Sequence, residues 1–262
     1  MAAPAARAET VVAYYEATWA SLPAATLVLA IERDGTNYHG IMRVETVGLP
    51  RWILHFRTKV ESDGTFADDG TAVPAHYNVD YDLRKYKNQR IRVNFVMRDG
   101  KLVAERTHDD SSNKPPLPEK YRTGIVDPMS AFAAIREFAG RHALKTGDTD
   151  IIPIFDDVRR YDARIAVTKT NPATDFKDLH IDLLPIAGFK DIKPEKGQAE
   201  DAARPLDVTF RDDARRFPTK LVIDIGLIPL VIRFQHFCAD VAHCTAEKSV
   251  AQKPKPEKPA KK

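Results

Sequence analysis

The chain has 262 residues, of which 43% are hydrophobic and 29% are charged, a balance typical of a soluble globular protein that can bury a sizeable core. No apolar run approaches the ~20 residues of a membrane-spanning helix, so we expect no transmembrane segment. The net charge of +3 comes from a Lys/Pro-rich end, residues 247–262, and the near-neutral remainder argues against nucleic acid as the main partner.

Alternating apolar and polar residues predict that most of the chain forms long strands, each with one buried and one solvated face. The clearest run places five side chains on one face: Trp52, Leu54, Phe56, Thr58 and Val60. The predicted strands span residues 11–19, 26–33, 37–47, 52–61, 76–83, 89–98, 101–107, a segment that starts at 151, 158–167, 176–185, 206–211, 217–225 and 228–237.

Glycine-containing pairs mark the expected turns between these strands. Asp34-Gly35 and Asp99-Gly100 predict tight hairpins. The Asp/Gly-rich stretches 62–64 and 68–70 predict an exposed loop, and they lack the ligand spacing of a calcium-binding loop.

One helix is predicted among the strands. Asp127 suits the N-cap, Pro128 suits the first helical position, and the segment up to residue 143 has no helix breaker except Gly140. Its apolar side chains recur at helical spacing, so one face should lie on the sheet. The predicted fold class is therefore mainly β: a large curved antiparallel sheet, either a half-open or a closed barrel, with one main helix packed on its apolar face.

The expected organisation is a single β domain, residues 10–245, between two disordered ends. Residues 1–9 contain Ala6-x-Ala8 before a charged residue, which is typical of the end of a secretory signal peptide, so we expect a signal-peptide remnant here. A disordered N-terminus of small residues is the alternative. The tail, residues 246–262, should be disordered and could make peripheral contact with anionic surfaces.

The two cysteines, Cys238 and Cys244, lie six residues apart. A disulfide between them would suit an oxidising compartment. Two free thiols are an alternative, and so is a metal site completed by His236 and His243. Because the spacing matches no typical zinc motif, we expect no metal.

The sequence lacks several common catalytic and phosphate-binding motifs. The sequence has no Gly-x-Ser-x-Gly, no phosphate-binding glycine loop and no His-Glu-x-x-His. Paired carboxylates at 109–110, 156–157 and 212–213 fall at strand ends or turns, where solvated turn residues are the simpler interpretation. The prediction is a non-enzymatic protein with no cofactor.

Five segments together resemble a bacterial family, the domain of unknown function 3108 family. These segments are Tyr15 to Ala24, Tyr38 to Leu49, Asp127 to Ala131, Tyr161-Asp162, and Phe210 to Pro218. Ala25 departs from the glycine expected there. The resemblance implies an exported envelope protein of the periplasm with a signal peptide and no known enzyme activity. The sheet and helix are also similar to the half-barrel of periplasmic lipoprotein carriers, at the level of fold alone.

A large sheet covered by one helix leaves apolar area that a lipid-like ligand could fill. The residues predicted to line such a cavity are Trp52, Leu54, Phe56, Tyr81, Phe95, Met97, Phe132 and Ile135. The leading hypothesis is a periplasmic protein that binds or carries an apolar envelope molecule, such as a lipid or an acyl chain. The alternatives are an envelope scaffold or accessory protein with a solid core that binds another protein, and a hydrolase with an unrecognised site.

Overall fold

A computed structural model describes residues 9–110, 115–141, 144–171, 176–189, 203–211, 215–224 and 227–244. The strands are β1 (Glu9–Trp19), β2 (Leu22–Asp34), β3 (Asn37–Thr46), β4 (Arg57–Phe66), β5 (Ala72–Asp82), β6 (Gln89–Arg98), β7 (Lys101–Asp109), β8 (Thr149–Phe155), β9 (Arg160–Asn171), β10 (Phe176–Ala187), β11 (Arg204–Arg211), β12 (Pro218–Ile223) and β13 (Leu230–Cys238). The helices are α1 (Gly48–Ile53), α2 (Pro128–Ala139) and a single 3-10 turn, Glu119–Tyr121.

All strands belong to one antiparallel sheet. Its order is β7-β6-β5-β4-β3-β2-β1-β13-β12-β11-β10-β9-β8. The sheet therefore consists of two meanders, β1–β7 and β8–β13, which meet where the first strand pairs with the last. In that pairing Ala13 lies opposite Phe237 and Trp19 opposite Leu230.

A short segment between α2 and β7 joins the two outermost strands, so the sheet closes into a barrel-like shape. On one side, the backbone N–H of Ala104 donates to Arg122 O and that of Gly124 donates to Leu102 O, both at 2.8 Å. On the other side, Val126 N donates to Pro153 O and Phe155 N to Val126 O, both at 2.9 Å. Residues 122–126 thus occupy part of both sheet edges, which would otherwise present unpaired backbone groups.

The two ends of the barrel differ. At one end, called the plugged end, lie the turns 35–36, 67–71 and 99–100, together with α2. At the other, called the open end, lie the turn 20–21 and the connections 47–56, 83–88 and 156–159. Helix α2 therefore packs inside the barrel at the plugged end.

A buried polar network fastens the start of α2 to the barrel wall. Asp127 is the N-cap, and its Oδ1 accepts from Met129 N at 2.8 Å and Ser130 N at 3.0 Å. Its Oδ2 accepts from Ser62 Oγ on β4 at 2.9 Å and from Ser130 Oγ. Because Ser130 gives its proton to Asp127, Tyr38 on β3 donates to Ser130 Oγ, at 2.5 Å. Both carboxylate oxygens are engaged, so this network anchors the helix.

The other end of α2 is fastened by two cations. Lys177 Nζ, on the inner face of β10, donates to Ala139 O at 3.0 Å. Arg136 Nε donates to Arg215 O at 2.8 Å. A cation at the C-terminal carbonyls is favourable for the helix dipole. With both ends tied to the barrel, α2 is a fixed plug.

Apolar side chains of α2 separate two core clusters. Met129 and Ala133 pack with residues of β1–β7, among them Tyr15, Val60 and Phe95. Ala131 and Phe138 pack with residues of β8–β11. These clusters fill the barrel around the helix with solid core.

The predicted disulfide is present. Cys238 and Cys244 are bonded to each other, which excludes the free-thiol and metal alternatives. The loop that they close folds over the outer face of β1 and β2, where it covers Tyr14 and Val28. Arg43 Nη1 donates to Val241 O at 3.1 Å and holds the loop in place.

The strand predicted at 52–61 is wrong over its first half. Residues 48–53 form α1, and the strand there, β4, runs from Arg57 to Phe66. Gly48 has a φ of +58°, and a Cβ there would lie 2.6 Å from Pro23 O, so the chain turns away from the sheet at a position that needs glycine. Pro50 is tolerated in the first helical turn. The alternation of Trp52, Leu54 and Phe56 fits a strand as well as it fits this short helix and the turn after it.

Three other local predictions need correction. Residues 62–64 were expected in an exposed loop, but they continue β4, and Ser62 is fully buried. Gly64 is required because a Cβ would lie 2.5 Å from the Tyr38 hydroxyl. The main helix ends at Ala139 with Gly140 as C-cap, and it does not extend to 143. Residue 9, expected in the disordered N-terminus, begins β1; residues 1–8 and the tail lie outside the described residues.

Candidate functional site

A cavity of about 830 Å³ opens at the open end of the barrel. Its walls come from the inner faces of β4–β7, from the segment between β7 and α2, and from connections of the other meander. The lining residues are Phe56, Thr58, Tyr77, Val79, Tyr81, Ile91, Arg106, Pro115, Leu117, Asp156, Val158, Arg159 and Gly188. This volume lies within the range of small-molecule sites.

One wall is an apolar surface built by strand alternation. On β5, Tyr77, Val79 and Tyr81 point inward in succession. Pairing brings Ile91 of β6 opposite Val79, and Thr58 of β4 opposite Tyr81. Burial raises the pKa of the Tyr77 phenol well above its ordinary value, so the phenol stays neutral. The wall therefore carries no charge.

A buried ion pair forms the charged corner of the cavity. Arg106, on the inner face of β7, donates through Nε to Asp157 Oδ1 at 2.6 Å and through Nη2 to Asp157 O at 3.0 Å. Its Nη1 lies 3.4 Å from Asp109 Oδ2. Burial raises the pKa of Asp157 to about 6, although the hydrogen bond from Arg106 opposes this. Asp157 has a φ of 84°, a conformation that aspartate tolerates better than most residues.

A second acid and base lie at the edge of the cavity, in the connection between β8 and β9. Asp156 Oδ1 accepts from Val158 N at 3.2 Å and Arg159 N at 2.8 Å. Arg159 Nε lies 3.4 Å from Asp156 Oδ2. Burial raises the pKa of Asp156. Asp156 and Asp157 thus both stabilise the loop between β8 and β9. Asp156 pairs with Arg159, and Asp157 pairs with Arg106.

The residues predicted to line one cavity fall into three groups. Phe56 and Tyr81 line the open-end cavity. Phe95, Phe132 and Ile135 belong to the solid core around α2. The remaining three are exposed: Trp52 at 81%, Leu54 at 52% and Met97 at 65%. Trp52 and Leu54 lie outside the barrel because the chain forms α1 and a turn where a strand was predicted.

Sequence reasoning missed Arg106 and the aspartates beside it. Arg106 faces inward by alternation with Leu102 and Ala104 on β7, and it pairs with the core residue Val93. Asp157, 51 residues away, is brought to Arg106 by closure of the barrel. Alternation places a charged residue on an inward position, but its partner is visible only once the fold is known.

Smaller depressions lie elsewhere on the described part of the protein. A groove of about 550 Å³ runs along the outer face beside the disulfide loop, between Tyr14, Arg43 and Asp80. Another of about 420 Å³ lies at the plugged end and includes Met97. In the described part of the chain, no three His, Cys, Asp or Glu side chains converge to hold a metal ion. No helix among the described residues is long and apolar enough to cross a membrane.

The sequence matches a known protein family over most of its length. The sequence model for "Protein of unknown function (DUF3108)" matches residues 14–228. The chain belongs to the DUF3108 family. Among solved structures, it is similar to a beta-barrel-like protein of the domain of unknown function DUF1849 from Brucella abortus, with 12% identity and a TM-score of 0.54. That match covers 87% of this chain and 96% of the other, and it shows a shared fold alone. No curated protein matches this DUF3108 chain.

Proposed function

We propose that this DUF3108 protein binds a lipid-like molecule in the open-end cavity, without catalysing a reaction. The observation that carries the proposal is the contrast between the two ends of one barrel. The plugged end is filled by α2 and its two core clusters, whereas the open end keeps about 830 Å³ behind an apolar wall. An apolar cavity that the described residues leave unfilled is favourable for an apolar ligand.

The charges around the cavity suit an amphiphile better than a fully apolar molecule. The apolar wall of β4–β6 would take an acyl chain, and the ion pairs of Arg106 and Arg159 at the edge would face a polar headgroup. Asp156 and Asp157 accept hydrogen bonds from backbone amides or Arg106, which supports a structural role for these carboxylates.

The disulfide supports a location outside the cytoplasm. Disulfides persist in oxidising compartments, of which the bacterial periplasm is one. We therefore place the proposed binding function in the periplasm. The ligand there would be an envelope lipid or the acyl chain of an envelope molecule.

The rival proposal, a scaffold that binds a protein through an open sheet edge, has less support. Residues 122–126 already bond to both outer strands, β7 and β8. A partner strand would have to displace this segment or use the ends of those strands.

Filling the cavity tests the proposal. Val79→Trp would place a large ring among Thr58, Tyr81 and Ile91, and it should weaken binding of a dansyl-labelled fatty acid by roughly ten-fold or more, because the space for the chain is lost. Fluorescence titration measures the affinity. Organic extraction of the purified protein, followed by mass spectrometry, identifies any lipid that it retains.

The matched control is Asn78→Trp, which adds the same ring to the outer face of the same strand. Its affinity should equal that of the wild type. If Val79→Trp and Asn78→Trp bind the probe equally well, or if the wild type does not bind it, the proposal is wrong.

A further inference from the structure

Large hydrophobic side chains are exposed mainly at the open end. Nine of the twelve such side chains in the described part of the chain lie there. We call these nine the open rim: Trp19, Leu22, Leu49, Trp52, Ile53, Leu54, Tyr86, Leu227 and Ile228. A concentrated apolar surface of this kind marks an interaction site.

The open rim is continuous because neighbouring connections bond to each other. Trp19 Nε1 donates to Ile228 O at 3.1 Å and links the first turn to the connection before β13. Val47 N donates to Ala24 O at 2.9 Å and holds the start of α1 against β2. Arg84 N donates to Leu54 O at 2.9 Å and links α1 to the next connection. The apolar side chains thus stand on a rigid arc.

Helix α1 is the most prominent part of this arc. None of its residues is buried, and Trp52 is 81% exposed. In a water-soluble protein such a helix gains nothing from its apolar side chains unless another surface covers them. Tryptophan has an apolar body and a polar N–H, and it is favoured where a membrane meets water.

Basic residues lie directly beside the open rim. The connection after β5 reads Leu83-Arg84-Lys85-Tyr86-Lys87-Asn88, with three cations and no acid, and Asp82 just before it pairs with Arg57. Arg84, Lys85 and Lys87 are exposed, on both sides of the rim residue Tyr86. Clustered lysine and arginine next to exposed aromatic residues are attracted to anionic lipid headgroups.

We infer that the open rim docks on the surface of an anionic lipid bilayer, with the apolar side chains of α1 inserted at headgroup level. In this position the mouth of the cavity faces the membrane. The inference stands on the rim and its charges, not on ligand binding in the cavity, so either can fail without the other.

Both tryptophans of the chain belong to the open rim, and this makes a direct test possible. The full-length protein should co-sediment with vesicles of phosphatidylglycerol and phosphatidylcholine, and its tryptophan emission should shift to shorter wavelength. Brominated acyl chains should quench that emission. Vesicles of phosphatidylcholine alone should bind at least several-fold less protein.

Two double variants separate the contributions of the open rim. Trp52→Ser with Ile53→Ser should lower vesicle binding roughly ten-fold or more, because it removes two inserted side chains. Lys85→Glu with Lys87→Glu should lower binding to anionic vesicles by a similar factor and reduce its dependence on salt. The matched control is Met97→Ser with Ile151→Ser, which removes two exposed apolar side chains away from the rim and should leave binding unchanged.

Three results would overturn the inference. Vesicle binding without any change in tryptophan emission would mean that the basic tail, which all the variants retain, makes the contact with the lipid. Equal binding of the rim variants and the wild type would exclude α1 and the basic connection. A dimer in sedimentation velocity without lipid, lost in Trp52→Ser with Ile53→Ser, would assign the open rim to a second copy of the chain. The cavity variant Val79→Trp should bind vesicles like the wild type, whatever its affinity for the fatty acid.

Discussion

At the position of Asp157, burial and ion pairing act in opposite directions on one carboxyl group. Burial favours the neutral form, and the hydrogen bond from Arg106 favours the charged form. Burial is the larger effect, and it raises the pKa from 3.8 to about 6. Between pH 3.8 and about 6, Asp157 is therefore protonated in the native protein and ionised in the unfolded chain.

This proton makes stability depend on pH. The stabilising contribution is fully present below pH 3.8, and it is lost as the pH rises through about 6. Asp157→Asn cannot titrate. The unfolding free energy of this variant, relative to the wild type, should rise by up to about 3 kcal/mol from pH 4 to pH 7, because the wild type loses this contribution over that range.

Urea denaturation at several pH values between 4 and 7 measures that difference. The control, Asp68→Asn, changes an exposed carboxylate in the turn 67–71 and should give a difference that barely depends on pH. A flat difference for Asp157→Asn would mean that Asp157 stays ionised throughout this range.

Single residues were predictable where their role is local. Asp127 was identified as a helix cap from the residues that follow it, and a disulfide between Cys238 and Cys244 was the leading one of three interpretations of these cysteines. The partners of Asp127 on β3 and β4 were not predictable, because Tyr38 and Ser62 reach it across the barrel. The ion pair of Arg106 depends on closure in the same way.

Among the elements, α2 divides the barrel interior into a packed half and an open half. Phe95 lies in the packed half, in the same core cluster as Met129 and Ala133 of α2. Phe56 lies just before β4 and lines the cavity. The same substitution at these two positions should therefore have different costs.

Phe95→Ala should lower the unfolding free energy by about 3–5 kcal/mol, because the surrounding core cannot fill the space left by the ring. Phe56→Ala should cost less than about 2 kcal/mol, since one side of that ring already faces the cavity. Chemical denaturation of both variants measures the two values. Equal losses would show that the open end is as well packed as the plugged end.

Most strands were predictable, because alternation persists over many residues in each of them. β6, for example, runs from Gln89 to Arg98 as predicted. Helix α1 was not, because its few residues also fit an alternating pattern and its conformation depends on the contact of Gly48 with Pro23. That failure concealed the open rim, since Trp52 and Leu54 were expected inside the barrel.

For the molecule as a whole, the disulfide ties the last described segment to the outside of the barrel. Cys238→Ser with Cys244→Ser should lower the unfolding free energy by about 2–3 kcal/mol, because the bond closes only a short loop in the unfolded chain. Thermal and urea unfolding measure the loss. Dithiothreitol should destabilise the wild type by a similar amount and leave the double variant unchanged; an unaffected wild type would contradict this.

The barrel shape itself was predictable only as a choice between half-open and closed. Alternation shows which side chains point inward, but it carries no information on which strands become neighbours at the two edges. Closure depends on residues 122–126, a short stretch with no strand pattern of its own.

The pairing of β1 with β13 has a consequence for how the protein is made. Synthesis runs from the N-terminus, so β1–β7 emerge complete while the partner of β1 on its other side is still more than 200 residues from it along the chain. Until the last strand arrives, a long, largely apolar edge stays unpaired, and contacts of such large sequence separation form slowly. The nascent chain should therefore depend on a holding chaperone until its final segment is released.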